Sequence, residues 1–195
     1  MIRGLFSLVV LLLLGGGGAA YVLSQQAPQL GRDLPRVETS TQAATTFDQK
    51  LEAVQDAVDE AKKTGVAQRV SISFTEAELT SKAAIATSSL TGGFIATDPQ
   101  IHLRAGSIVL TAGVSIQGFP LKIAVMAIPT VIDGKTSFAI KEVQTGSLPL
   151  PDAIRTQLDA QIAKILDPEA LGIPLEVTKL EIQNGKLVFE GVAKP

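Results

Sequence analysis

The spacing of hydrophobic positions changes along the chain, and this spacing predicts which segments are helices and which are strands. Residues 46–64 carry apolar side chains at intervals of three and four, which is typical of an amphipathic helix. Residues 69–74 alternate polar and apolar side chains, which predicts a half-buried strand. A second helix is expected from Thr75 to about Ser89, because Thr75 and Glu78 form a capping box at its start.

The period changes to two from Pro99 to Val143, which predicts four successive strands, the last two joined by a hairpin at Asp133-Gly134. A third amphipathic helix is expected over 151–167, followed by a final hairpin over about 175–192 that turns at Asn184-Gly185. Strands joined by tight turns are antiparallel. The order helix, strand, helix, four strands, helix, two strands therefore predicts an α+β fold.

An uncharged apolar segment, Gly4 to Leu23, precedes all of these elements. Twenty helical residues extend about 30 Å, enough to cross the hydrocarbon layer, and Arg3 favours a cytoplasmic start. A retained transmembrane anchor agrees with this length. A signal peptide cleaved near Ala20 agrees with the short basic start and the small residues at 18–20. Both alternatives place the rest of the chain outside the cytoplasm, either on a single-pass membrane protein or on a secreted one.

Residues 24–46 show no hydrophobic period and contain two prolines, which predicts a flexible linker. With residues 1–23 as anchor or signal peptide, the folded domain is expected to occupy residues 47–195. A flexible linker of this length has an end-to-end distance of roughly 25–30 Å. The domain is therefore expected to stay close to the membrane surface.

Composition narrows the chemistry that the domain can perform. The formal net charge is −2 and there is no basic tract, which argues against nucleic-acid binding. There is no cysteine, and the single histidine, His102, alternates with apolar neighbours and is expected on the solvated side of its strand. Glu76 and Glu78 lie in a first helical turn, where capping and the helix dipole explain them. No motif for a metal, a cofactor or a nucleophile is present, so we predict a protein that is not an enzyme.

The central strands, Ile108 to Ile132, carry apolar side chains on both faces. One explanation is that helices cover both sides of the sheet. The other is that one face lines a groove for an acyl chain, whose burial contributes about 0.8 kcal/mol per methylene. The candidate groove residues come from the second helix and from the sheet: Leu79, Ile85, Ile108, Leu110, Val114, Ile123, Val125 and Phe138.

Three motifs add a resemblance to a known group of proteins. Phe74-Thr-Glu-Ala-Glu-Leu79, Gly146-Ser-Leu-Pro-Leu-Pro151 and Leu180-Glu-Ile-Gln-Asn-Gly-Lys-Leu-Val-Phe-Glu-Gly191 resemble bacterial membrane-anchored YpmS-like proteins and LmeA-like phospholipid-binding proteins. The resemblance covers about 66–193. It implies a curved antiparallel sheet wrapped around a long helix, similar to tubular lipid-binding domains, and binding of phospholipid or a lipid-linked precursor. The alanine-rich second helix departs from the group because it lacks an asparagine near its start.

Pattern and resemblance together predict a curved antiparallel meander wrapped around a helix, with two further amphipathic helices and an N-terminal transmembrane helix. The expected function is that of a membrane-tethered, extracytoplasmic domain that binds or handles phospholipid or another acyl-chain lipid. The alternative is a non-enzymatic module with a solid core that docks on an envelope protein. Neither function requires a cofactor.

Overall fold

The computed structural model of the protein describes residues 28–88, 94–104, 106–116, 119–132, 134–146, 175–183 and 185–195. Two helices and seven strands follow one another in these ranges: α1 Thr41–Thr64, β1 Gln68–Thr75, α2 Glu76–Ser88, β2 Phe94–Arg104, β3 Ser107–Ile116, β4 Phe119–Ile132, β5 Lys135–Thr145, β6 Glu176–Gln183 and β7 Lys186–Ala193. The strands form a three-stranded sheet, β1-β7-β6, and a four-stranded sheet, β2-β3-β4-β5, both antiparallel. The predicted α+β class with antiparallel pairing is confirmed.

Two predicted elements, the apolar segment at 4–23 and the third helix at 151–167, lie outside the described residues. In the part of the chain that the structure describes, neither helix has both the length and the apolar character needed to cross a membrane. Both predicted hairpin turns are confirmed, because Ile132 pairs with Lys135 and Gln183 pairs with Lys186.

Helix α1 begins at Thr41, five residues before the predicted start. Ser40 is the N-cap, and its side chain accepts a hydrogen bond from the backbone N–H of Ala43 at 3.0 Å. The first turn carries the polar residues Thr41 and Gln42, so the apolar period does not reveal it. The helix ends at Gly65, which adopts the left-handed conformation and donates its N–H to the helix.

Helix α2 starts at the predicted capping box. The Glu78 N–H donates to Thr75 Oγ1 at 3.2 Å, and the Thr75 N–H donates to Glu78 Oε2 at 3.0 Å. The helix then runs along the open edge of β2. Thr80 Oγ1 accepts from the N–H of Ile101 at 3.0 Å, and Glu76 Oε1 accepts from the N–H of Leu103 at 2.7 Å. Side chains of α2 thus take the place of a neighbouring strand at this edge.

The hydrophobic core lies between α1 and one face of each sheet. The buried side chains that form it come from α1, five strands and the residue before β6: Phe47, Val54, Val58, Ala61, Phe74, Leu103, Ile108, Leu175, Val177, Leu180, Leu187, Phe189 and Ala193. The two sheets also meet directly, because the N–H of Val177 in β6 donates to the carbonyl of Gly134 in the β4–β5 turn at 2.8 Å. One core therefore holds both sheets together.

Residues 28–40, which we call the strap, lie across the other face of the four-stranded sheet. Four residues, one from each strand, form a cross-strand row on this face: Gln100, Thr111, Ala124 and Gln144. Strap residues contact three of them, Gln100, Thr111 and Gln144. The segment predicted as a linker is therefore attached to the folded domain from residue 30 to residue 40, and residues 41–46 are helical.

Candidate functional site

The six candidate groove residues of the sheet share one face. Leu110 of β3 is the cross-strand partner of Val125 of β4, and Ile108 and Val114 lie two and four residues along β3 from Leu110. Ile123 lies two residues from Val125 on β4, so its side chain points to the same side. On β4, Ala127 is the partner of Ile108, and Pro129, two residues further, points to the same side. Phe138 of β5 is the partner of Pro129 and therefore lies on this face as well. The structure thus brings these six side chains together.

Burial divides this face into two halves. In the half near the β4–β5 turn, Ile108 belongs to the core beside α1, and Leu110 and Phe138 pack against that core. At the other half, Val114 and Val125 are buried, whereas Ile123 keeps partial exposure. The side chains of the first half are therefore part of the core packing. The second half carries partly accessible hydrocarbon, and we call it the distal apolar face (Ala112, Val114, Leu121, Ile123 and Val143).

The two candidate residues of α2 lie on different sides of the helix. Leu79 packs against the core, while Ile85 is half exposed, at 50% of its surface. Six residues at about 100° each place the two side chains about 120° apart around the axis. The structure therefore places Leu79 against the core and leaves Ile85 half exposed on another side of the helix.

The polar candidates have structural partners. Glu78 accepts two hydrogen bonds from Lys50 Nζ, each 2.7 Å, and Lys50 also donates to the carbonyl of Ser73. Glu76 bonds Leu103 and also forms an ion pair with Arg104. Glu78 forms the capping box, as predicted, whereas Glu76 connects α2 to β2 and does not cap the helix.

The expectation of a solvated His102 is wrong. Only 2% of His102 is exposed, and its buried Nδ1 has no hydrogen-bond partner among the residues that the structure describes. It lies on the strap side of the sheet, opposite Val109, a side that alternation alone marks as polar. Burial lowers the pKa of His102 and the nearby Arg104 lowers it further, while the Glu76 carboxylate raises it. Burial therefore favours the neutral form of the imidazole.

Two glutamines that the sequence analysis did not single out attach the strap. Gln144 Oε1 accepts from the N–H of Leu30 at 2.9 Å, and its amide donates to Glu142 at 2.6 Å. Gln100 Oε1 accepts from the N–H of Val37 at 2.8 Å, and its amide donates to Asp98 at 3.1 Å. Each glutamine thus follows a carboxylate by two residues on its own strand.

We call these two arrangements the glutamine latches (Asp98 with Gln100, and Glu142 with Gln144). Both have the same pattern of hydrogen bonds. The carboxylate takes the amide N–H, so the amide oxygen is directed to the strap backbone. An acidic residue, one residue of any kind and a glutamine occur in β2 and β5, but the same spacing occurs in β6 at Glu181 and Gln183, so this spacing alone does not identify a latch. Its meaning depends on the register that places both glutamines in one row.

Within the described residues, no three His, Asp or Glu side chains are grouped so as to hold a metal ion. The eight candidate groove residues are all aliphatic or aromatic hydrocarbons, so the chemistry that they offer is apolar contact. Comparison with known proteins adds no assignment: no family model, no curated protein and no solved structure matches the chain.

Proposed function

We propose that this protein is a membrane-tethered, extracytoplasmic domain that binds lipid, and that an acyl chain lies on the distal apolar face. The observation that carries this proposal is the continuous apolar face of β3 and β4, part of which is accessible beyond the core. The uncharged segment at 4–23 supports the membrane tether. The contact of both sheets around one core beside α1 supports the finer proposal of a curved sheet wrapped around a helix.

The two halves of this face have different roles in the proposal. Ile108, Leu110 and Phe138 pack in or against the core and form the closed end of the groove. Ile123 and its partly exposed neighbours form the contact surface for the acyl chain. Burying a fourteen-carbon chain contributes roughly 11 kcal/mol at about 0.8 kcal/mol per methylene. A protein that lifts a lipid from a bilayer must provide apolar cover of similar extent.

Lipid extraction tests this proposal. Residues 28–195, which include the strap, are purified without detergent, extracted with organic solvent and examined by lipid mass spectrometry. A fluorescent fatty acid probe then measures binding directly. We expect a co-purifying acyl lipid and saturable probe binding. If neither is found, lipid binding is refuted.

A matched pair of variants on one strand locates the groove. Ile123→Glu introduces a charge on the distal apolar face, so we expect strong loss of probe binding. Ile132→Glu makes the same change at a position that is 60% exposed at the end of β4, and we expect wild-type binding. Circular dichroism and thermal unfolding confirm that both variants are folded. Equal binding by the two variants would place the ligand elsewhere.

The second candidate function is a non-enzymatic module that docks on an envelope protein. The packing of Ile108 into the core and of Leu110 and Phe138 against it favours this function, because side chains already fill that part of the face. Crosslinking in cells tests it. A single defined protein partner, together with an absence of extractable lipid, would support the docking module over the lipid-binding domain.

A further inference from the structure

We propose that the strap holds the domain close to the bilayer in one orientation, with the Gln144 end of the four-stranded sheet facing the lipid headgroups. This inference rests on the membrane tether of the proposed function and is independent of what the apolar face binds. The bilayer surface is the partner, and the strap determines which side of the domain meets it.

The strap is attached to the domain at both ends. Gln144 holds Leu30 at one end, and Gln100 holds Val37 near the other. Beyond Val37, the N–H of Ser40 donates to Ser81 Oγ of α2 at 3.0 Å. Between the latches, Gly31 lies so close to the sheet that a Cβ at this position would be 2.8 Å from Thr111 Cγ2. The strap is therefore a bound segment of the domain along most of its length.

Few residues separate the apolar segment from the strap. Leu23 ends the apolar segment, and Pro28 is already buried, so only residues 24–27 separate the two. Fully extended, the chain from Leu23 to Pro28 covers at most about 18 Å. Without the strap contacts, the chain from Leu23 to Thr41, where α1 begins, would cover up to about 65 Å. The latches thus shorten the maximum tether more than threefold.

The first attachment point of the strap determines which side of the domain meets the bilayer. Leu30 is held at Gln144, so this end of the sheet is the first described point at which the chain is attached after the apolar segment. Lys122 is exposed and lies two residues before Ala124, the cross-strand partner of Gln144, so Lys122 and Gln144 share one face. Such diagonal neighbours are about 7–8 Å apart. At the other end of the strap, α1 begins and extends about 36 Å to its C-terminal turn, where Lys63 is exposed.

Fluorescence quenching in proteoliposomes tests the orientation. The chain contains no cysteine, so Lys122→Cys and Lys63→Cys each provide a single labelling site in the full chain. Both proteins are labelled with an environment-sensitive fluorophore and reconstituted in vesicles of phosphatidylcholine and phosphatidylglycerol that contain a headgroup-quencher lipid. We expect strong quenching of the label at Lys122 and little quenching at Lys63. Equal quenching at the two sites, or failure of the full chain to float with the vesicles, would overturn the inference.

Two changes then test the role of the strap. Gln100→Met with Gln144→Met removes both amide acceptors and retains side-chain length. An insertion of twelve Gly and Ser residues between Ala27 and Pro28 lengthens the tether and leaves the latches intact, so it remains informative if the double variant does not fold. We expect the difference in quenching between the two labels to fall in both cases. A difference that persists in the insertion variant would overturn the inference, whereas lipid extraction from residues 28–195 decides the proposed function separately.

Discussion

The two faces of the four-stranded sheet are covered in different ways. One face packs hydrocarbon side chains such as Leu103 and Ile108 into the core beside α1. The other lies under the strap, which is attached through side-chain amides that accept hydrogen bonds from backbone N–H groups. An irregular segment whose backbone groups are satisfied can therefore also cover part of a sheet face.

The strap face is as well buried as the core face at several positions. Val109, Ala124 and His102 are all buried there, although they share the face with Gln100 and Gln144. The two faces therefore differ in the kind of contact that covers them. Substitutions on the core face should mainly lower the free energy of unfolding, whereas substitutions under the strap should also accelerate the amide exchange of the strap.

The largest effect is expected on the core face. Leu103→Ala removes one of the largest fully buried side chains, 2% exposed, and leaves a cavity, so we expect a loss of about 2–5 kcal/mol in the free energy of unfolding. Urea unfolding measures this loss. The control is Val66→Ala, which removes an apolar side chain that is 59% exposed and should change stability by less than about 0.5 kcal/mol. Similar losses in the two variants would contradict the placement of the core.

The next effect concerns the closest approach of the strap. Gly31 has φ +85°, and an added Cβ would clash with Thr111, so Gly31→Ala should cost about 1–3 kcal/mol. Hydrogen exchange of the Leu30 and Val37 amides should accelerate selectively. Gly65→Ala is the matched control, because Gly65 has φ +70° and no atom lies within 4 Å of the added Cβ. If exchange of the strap amides accelerates equally in both variants, the clash with the sheet is refuted.

A smaller effect is expected from a single latch. Gln100→Met leaves the N–H of Val37 without its acceptor, which should reduce stability by about 1 kcal/mol. Hydrogen exchange should show faster exchange of Val37 and little change in the core amides of β7. If the Val37 amide exchanges at the wild-type rate, the Gln100 latch does not hold the strap.

The smallest effect at neutral pH should come from His102. Because its pKa is lowered in the folded protein, chiefly by burial, the unfolded chain binds a proton first as the pH falls below about 6.5. The stability contributed by the neutral imidazole is therefore complete above this pH and is lost on acidification. His102→Phe removes this component, so its stability should fall less than that of the wild type between about pH 8 and pH 5. Parallel curves would contradict the prediction.

The same contrast explains how much the sequence could predict. Apolar periods and turn residues predicted both hairpins, the capping box at Thr75 and the shared face of Leu110 and Val125, since each depends on local chemistry or on strand alternation. The strap could not be predicted, because the segment that contains Leu30 and Val37 shows no hydrophobic periodicity. Their partners are more than sixty residues away, and only the register of the sheet aligns those partners.

His102 shows a second limit of sequence patterns. Alternation correctly places it on the side of the sheet opposite Leu103, but it cannot say what covers that side. A polar position on a strand is usually solvated, and here burial overrides that expectation. The division of the candidate groove into a core half and the distal apolar face is unpredictable for the same reason, since it depends on where α1 lies.

The contact between α2 and β2 has a consequence for self-association. Strand β2 spans eleven residues, and an edge of this length is a template for pairing with a second molecule. Thr80 and Glu76 occupy the backbone groups of Ile101 and Leu103 that such a neighbour would use. Helix α2 therefore prevents a second molecule from pairing with β2. Detachment of α2 from this edge would favour edge-to-edge polymers made from domains that are still folded.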